Sequence, residues 1–322
     1  MKFLIAGFGS IGRRHFRNLL SLGIDDIVFF RSNQSTISDD EIADFLVETD
    51  LQSALSHKPD AVIIANPTSL HLDVAIQAAK QGCHLFIEKP ISHSLERVDL
   101  LQKALQQGGG KVFTAFQFRF HPGLLTIKNL ISTPSSIIGH PLYVRSHWGE
   151  HLPSWHPWED YRKGYSARAD LGGGVVLTLC HPLDYVHWIF GEVTSVWAFT
   201  GDQSDIEIDV EDTAEIGLRF ENGVIGSIHL DFVQRPPVHR LEIIGSEGTI
   251  RWNNDNGAVW VYSGNGIVET YPLLPNFERN DLFIAEMRHF IDVVKGDADP
   301  VCDLDDGIWV LKLALAVHDS AR

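Results

Sequence analysis

The sequence predicts an α/β fold in two parts: a doubly wound parallel sheet, then a domain containing an antiparallel sheet. Three observations carry this expectation. In the first third, short apolar runs alternate with amphipathic stretches, the pattern of parallel strands joined by right-handed helical crossovers. After about Pro122 the texture changes to short alternating runs separated by Gly, Asn and Asp, the signature of antiparallel strands and turns. The length of 322 residues suits two domains, and 44% hydrophobic with 21% charged residues is an ordinary globular composition.

The elements follow in order. Phe3 to Ala6, Ile27 to Phe30, Ala61 to Ala65, His84 to Ile87 and Val112 to Phe116 are continuous apolar runs of strand length. Between them, Ile11 to Leu22, Leu70 to Gln81 and Leu95 to Gln106 have helical periodicity. Beyond the junction, Leu124 to Ile131 predicts a helix, Leu142 to Trp148 a strand, and Gly172 to Phe190 one continuous helix. Val193 to Tyr271 predicts the antiparallel sheet, and Arg279 to Lys295 and Leu304 to His318 two closing helices. The expected division is 1–122, then 123–302. The acidic runs Glu207 to Asp212 and Asp297 to Asp306 are expected as solvated loops.

The charge balance narrows the function classes. Lys and Arg number 26 against 42 Asp and Glu, a formal net charge of −16, so the average surface repels a phosphate backbone and nucleic acid is a poor partner. A small anionic ligand is not excluded, because its pocket's own lining sets the field there. The three cysteines form no CxxC pair, which argues against a disulfide framework or a cysteine zinc site and for a reducing cytoplasm. The opening apolar run ends at once in a glycine-rich turn, unlike a signal peptide. No run approaches the roughly 18 apolar residues of a membrane span.

Gly7-Phe8-Gly9-Ser10-Ile11-Gly12 directly follows the first strand and opens a helix. This context makes a glycine pattern specific for a dinucleotide: Gly7 for the tight turn, Gly9 for approach to a pyrophosphate, Gly12 for close helix packing. N–H groups at the helix start then face the phosphates. About 20 residues on, where an acid would bind a ribose 2′-hydroxyl, the chain has Arg31-Ser32. A guanidinium and a hydroxyl suit a 2′-phosphate, so NADP(H) is expected in preference to NAD(H). Arg31 as a solvated turn residue is the alternative. Asn66-Pro67-Thr68 with His71, Glu88-Lys89-Pro90 and Gln117 stand at the carboxyl ends of later strands, where ligands of open α/β sheets bind.

Hydride chemistry at a carbon needs a partner for the proton on its oxygen. Lys89 is one candidate, with a salt bridge to Glu88 as its bland alternative. His181 is the second, with Thr178 and Asp184 at i−3 and i+3 on the expected helix, and with Asp184 to orient the imidazole.

Taken together, Gly7 to Gly12, Glu88-Lys89-Pro90, Arg119-Phe120-His121-Pro122, and Gly172-Gly173-Gly174 leading to His181 and Asp184 resemble the Gfo/Idh/MocA family of NAD(P)-dependent oxidoreductases. The resemblance spans nearly the whole chain. It implies an N-terminal Rossmann domain, a C-terminal α/β domain on a large, mainly antiparallel sheet that binds substrate and builds a homodimer or homotetramer, and a last helix (303–322) returning to the first domain. It also implies Lys89 as the catalytic lysine and His181 as its acid/base partner. Thr178 departs from the pattern, since many of these dehydrogenases carry an acid there.

The aromatic segment from Trp155 to Arg168 precedes the glycine triplet. Aromatic faces stack on sugar rings and guanidiniums hold carboxylates or phosphates, so Trp158, Tyr161 and Arg168, with Arg119, Lys89, Thr178 and His181, are the candidate substrate contacts. Packing or an oligomer contact is an equal alternative for the tryptophans. His140, His147, His151 and His156 match no zinc spacing, and no metal is expected. The expected activity is hydride transfer between the nicotinamide and a hydroxyl or carbonyl of a carbohydrate-like molecule. The rivals are a nucleotide sensor without chemistry, and an enzyme using its cofactor transiently for lyase or hydrolase chemistry.

Overall fold

The computed structural model describes residues 1–31, 40–133, 136–264 and 266–322. They form two compact units, Met1–Phe116 with Arg279–Leu311, and Gln117–Glu278 with Lys312–Arg322. The division falls at residue 116 rather than 122, and at 279 rather than 303.

The first unit begins with β1 (Phe3–Ala6), α1 (Ser10–Ser21), β2 (Ile27–Phe30), β3 (Leu46–Glu48), α2 (Leu51–Ser56) and β4 (Ala61–Ile64). It continues with α3 (His71–Lys80), β5 (His84–Glu88), α4 (Val98–Gly108) and β6 (Val112–Ala115). The strands make one parallel sheet in the order β3-β2-β1-β4-β5-β6. Strand order reverses between β1 and β4, and outside their carboxyl ends lies the switch-point crevice where such sheets bind ligands. Phe16 of α1 packs edge-on against Phe29 and Phe45, at 5.2 and 5.1 Å between centroids.

The second unit contains α5 (Pro122–Ser132), β7 (Pro141–Gly149), α6 (Val175–Thr178), α7 (His181–Phe190), β8 (Val193–Gly201), β9 (Thr213–Phe220) and β10 (Ile225–Asp231). Then come β11 (Val238–Gly245), β12 (Thr249–Asn253), β13 (Val259–Ser263) and β14 (Gly266–Tyr271). The eight strands are ordered β14-β13-β12-β11-β7-β10-β9-β8. All neighbours are antiparallel except β7 and β10, which run parallel.

The chain closes with α8 (Arg279–Lys295) and α9 (Leu304–Ser320). Helix α8 joins the first unit because its apolar face supplies that sheet's cover: Phe290 lies 6.2 Å from Phe3 and 5.3 Å from Phe86 between ring centroids. Asp303 caps α9 by accepting from the N–H groups of Asp305 and Asp306 at 2.9 and 3.1 Å. Among the described residues, no helix is long and apolar enough to cross a membrane.

Two local expectations are corrected. The helix expected from Gly172 to Phe190 is two helices, broken at Leu179 and Cys180. Gly172 and Gly174 stand outside it at positive φ, and Pro182 occupies the first turn of α7, where a missing N–H costs nothing. The run ending at Asp212 is not simply a solvated loop. Asp212 is fully buried, and its carboxylate accepts from the N–H groups of Gln203 and Ser204 and the hydroxyls of Ser204 and Thr213.

Candidate active site

In the first unit, the turn from β1 into α1 separates the roles of its three glycines. Gly7 has φ +98°, a left-handed conformation, and a Cβ there would stand 2.6 Å from the N of Asn66. A Cβ on Gly12 would strike the carbonyl oxygen of Gly7. Gly9 is different, because a Cβ there would meet nothing within 4 Å. The protein's own packing therefore demands Gly7 and Gly12, while the space before Gly9 is left for something else. That space and the N–H groups of the first turn of α1, which have no intrahelical acceptors, fit a dinucleotide's pyrophosphate. Ser10 is exposed and Ile11 half-buried at that helix start.

Phe8 gathers two cations. The guanidinium carbons of Arg13 and Arg31 lie 4.6 and 5.6 Å from its ring centroid. Arg31 is buried at 5% exposure; burial first, then the like charge of Arg13, lowers its pKa. Arg13 also donates to Glu41 at 2.6 Å, and Arg17 pairs with the same carboxylate. Ser32 lies outside the described residues.

The loops after β4 and β5 are tied together. His71 is buried, with Nδ1 2.9 Å from the carbonyl oxygen of Pro90 and Nε2 2.9 Å from that of Asn66. Burial lowers its pKa against the opposing pull of those carbonyls and of Glu88. Asn66 donates through Nδ2 to the carbonyl of Leu70, and its Oδ1 is buried without a hydrogen-bond partner among the described residues. That acceptor, on the switch-point loop, also fits a nucleotide. Pro67 leads into a short 3₁₀ turn (Thr68–Leu70) whose Thr68 is buried. Glu88 is buried, 2.7 Å from His15 Nε2. Burial opposes its ionisation, but the hydrogen bond and charge of His15, with Lys89 and His71 nearby, hold its carboxyl below the usual range. Lys89 is half-buried directly after β5 and donates its backbone N–H to Glu88 at 3.3 Å.

In the second unit, the turn Gln117–Phe120 buries Gln117, Phe118 and Arg119. Arg119 forks onto Asp184, with Nε 3.0 Å and its terminal nitrogen 2.7 Å from Oδ1. Both side chains are buried. His181 begins α7 at 1% exposure, edge-on to Phe118 at 5.1 Å and stacked on Trp148 at 5.4 Å. Trp148 stacks in turn on His239 at 4.2 Å, and Tyr185 reaches both His239 and Ser146 with its hydroxyl. Thr178 is buried at the end of α6. The helix break means that Thr178 does not share a continuous helical face with His181, whereas His181 and Asp184 remain one turn apart on α7.

The aromatic segment is held by acidic residues close to it and in the loop at 207. Trp158 is 77% exposed and donates to Glu159. Tyr161 accepts from the N–H of Glu207, and Arg168 pairs with Asp170 at 2.6 Å. The sequence reading missed Arg13, His15, Trp148, Tyr185 and His239. Arg13 was legible, as a cation directly after Gly12 in a nucleotide-binding turn. The stack around His239 comes from strands far apart in the chain and left no local signal.

Residues 1–116 match the model of an oxidoreductase family with an NAD-binding Rossmann fold, and residues 124–251 match the GFO/IDH/MocA C-terminal domain. The chain belongs to the GFO/IDH/MocA oxidoreductase family. Among curated GFO/IDH/MocA-like relatives, myo-inositol 2-dehydrogenase of Thermotoga maritima is 29% identical, over 99% of this chain and 96% of its own. A scyllo-inositol 2-dehydrogenase (NAD(+)) of Bacillus subtilis is 27% identical over 82% of this chain and 75% of its own. Among solved structures, the WlbA dehydrogenase from Bordetella pertussis, in complex with NADH and UDP-GlcNAcA, superposes with a TM-score of 0.83 at 25% identity. That match covers 100% of this chain and 96% of the other. The α/β architecture that the resemblance implies, a parallel sheet followed by a large mainly antiparallel one, is that of this GFO/IDH/MocA oxidoreductase.

Proposed function

We propose that this oxidoreductase is an NADP-preferring dehydrogenase or reductase acting on a hydroxyl or carbonyl of a sugar or sugar derivative. The observation that carries the cofactor choice is the pair of guanidiniums at Phe8. Two cations near the end of β2, where an acid would bind a ribose 2′-hydroxyl, suit a 2′-phosphate. Relatives named for inositols and a solved relative holding a nucleotide sugar support a polyhydroxylated substrate. The loop Gly7 to Gly12, with Asn66, Pro67, Thr68, His71, Glu88, Lys89 and Gln117, is assigned to the dinucleotide.

A nicotinamide dinucleotide held by these residues would supply the hydride chemistry at the substrate carbon. The chain's own task is the proton on the substrate oxygen. We assign it to Lys89 Nζ and His181, side chains able to give or take a proton at a substrate oxygen. Asp184, held by Arg119 one turn along α7, is a positioning residue for His181. Thr178 is no base, so it is assigned to substrate contact, with Arg119, Trp158, Tyr161 and Arg168. The same unit is assigned to self-association through the sheet face bearing Trp197 and Phe199, exposed at 55% and 71%. Light scattering showing a monomer refutes that assignment.

The test is a titration with NADPH and NADH, then turnover on a polyol and sugar panel read at the nicotinamide absorbance. NADPH should bind about tenfold tighter or more, a difference of ~1.4 kcal/mol, and Arg31→Asp should erase the preference. Lys89→Ala should abolish turnover even at saturating NADPH. Tight binding without turnover on the whole panel would favour a nucleotide sensor. No binding of either nucleotide would refute the reading.

A further inference from the structure

Strands β7 and β10 are parallel neighbours, and His147 stands in direct register with His229. Asp231, two residues beyond His229, shares its sheet face. The carboxylate oxygen Oδ2 of Asp231 lies 3.1 Å from His229 Nε2 and 3.6 Å from His147 Nε2. One nitrogen from each histidine and one oxygen of Asp231 all lie within 4.8 Å of one another.

Four further observations describe how these atoms are held. Asp231 Oδ1 accepts from the N–H groups of Val233 and Gln234 at 2.8 and 2.6 Å, which fixes the carboxylate and turns Oδ2 toward the imidazoles. A Cβ on Gly149 would strike Oδ2, so the strand is bare where the carboxylate crosses it. His229 Nδ1 is 2.6 Å from Glu215 Oε1, so a second carboxylate holds the ring from behind, as carboxylates do behind metal-bound histidines, with Nε2 turned toward Asp231 Oδ2. His147 Nε2 is buried, and at 3.6 Å from Asp231 it is too far for a hydrogen bond.

We propose that His147, His229 and Asp231 bind a divalent transition-metal ion of the zinc type, with Glu215 orienting His229 from behind. Atoms about 2.0–2.1 Å from a tetrahedral ion stand roughly 3.3 Å from each other, close to the 3.1 and 3.6 Å observed. Two imidazoles select zinc, cobalt or nickel over magnesium or calcium. The two carboxylates, Asp231 and Glu215, carry a charge that a dication balances. The ion would pin β7 to β10, and its remaining position is open to water. Spacing along the chain gave no hint of this, because the other ligands come from a distant strand. The inference is independent of the proposed oxidoreductase activity.

The test uses the full chain stripped with a chelator and titrated with Zn²⁺ against a competing dye. One equivalent should bind, with a rise in melting temperature. His147→Gln and His229→Gln should each weaken binding by about 100-fold or more, and Glu215→Gln by roughly 10-fold. His140→Gln should change nothing. Absence of stoichiometric binding, or unchanged binding in both His147→Gln and His229→Gln, overturns the proposal. Should either variant fail to fold, Co²⁺ bound to the wild-type protein decides: visible absorption of a four-coordinate, histidine-ligated ion supports the site, and its absence overturns it.

Discussion

The Arg119–Asp184 pair offers the sharpest prediction on the stability of the second unit. Both side chains are buried, at 3% and 0% exposure, and the guanidinium contacts Asp184 Oδ1 through two nitrogens at 3.0 and 2.7 Å. Arg119→Leu keeps most of the volume but leaves the carboxylate buried without its fork of donors. Breaking a buried pair from one side costs about 3–5 kcal/mol, because the remaining charge cannot recover its hydration. At ~1.4 kcal/mol per decade, that is roughly two to three and a half orders of magnitude in the folding equilibrium. For a unit of this size the melting point should fall by about 6–20 °C. Replacing both residues together, Arg119→Leu with Asp184→Leu, removes both charges and should cost clearly less than the two single changes summed. Urea unfolding followed by tryptophan fluorescence gives all three values. A loss below ~1 kcal/mol in Arg119→Leu, or a double variant equal to the sum, would show that the pair is not the buried, coupled unit described.

Three other outcomes are expected. Burial lowers the pKa of His121 to about 4, below its unfolded value, so its contribution is full above about pH 6.5 and is lost as the pH falls toward 4. The loss should be ~3 kcal/mol between pH 7 and 4, and His121→Asn, which keeps an acceptor for the N–H of Gly123, should flatten the acid limb of a stability–pH curve. Gly9→Ala should leave the melting temperature within ~2 °C, since the added carbon meets no protein atom, yet weaken NADPH binding about tenfold or more; equal affinity would remove Gly9 from the pyrophosphate site. Asp212→Ala removes the acceptor of the partly buried N–H groups of Gln203 and Ser204, and calorimetry should show a loss of about 1–3 kcal/mol; a neutral change would mean that the carboxylate does not organise its loop.

How much could be read in advance follows from the range of the interactions. Strands β1, β2, β4, β5 and β6 announce themselves because a parallel strand buried on both faces is an unbroken apolar run. β3 does not: Leu46–Glu48 is short and partly exposed, with no pattern to see. The helix break before His181 turns on Pro182, whose tolerance in a first turn marks a start rather than an interior. The place of β7 between β11 and β10 is set by pairing across the chain, which no local periodicity encodes. The same holds for the side chains. The glycine turn is a local device and was legible residue by residue. The pairing of Arg119 with Asp184, the stack of His181, Trp148 and His239, and the approach of His147 to His229 are long-range, and only the folded chain displays them.

The charge distribution shows why a net value decides so little at a site. A formal charge of −16 spread over the surface acts through water and salt, with a screening length of about 8 Å at physiological ionic strength. Arg31 and Arg13 act through a few ångströms of poorly hydrated protein, beside the face of Phe8. Burial already disfavours the charged form of Arg31, and Arg13 adds repulsion. An anion within their reach offsets such costs, and Glu41 does so for Arg13 and Arg17. The field at Phe8 is therefore set by its own few neighbours, whatever the sign of the surface around it.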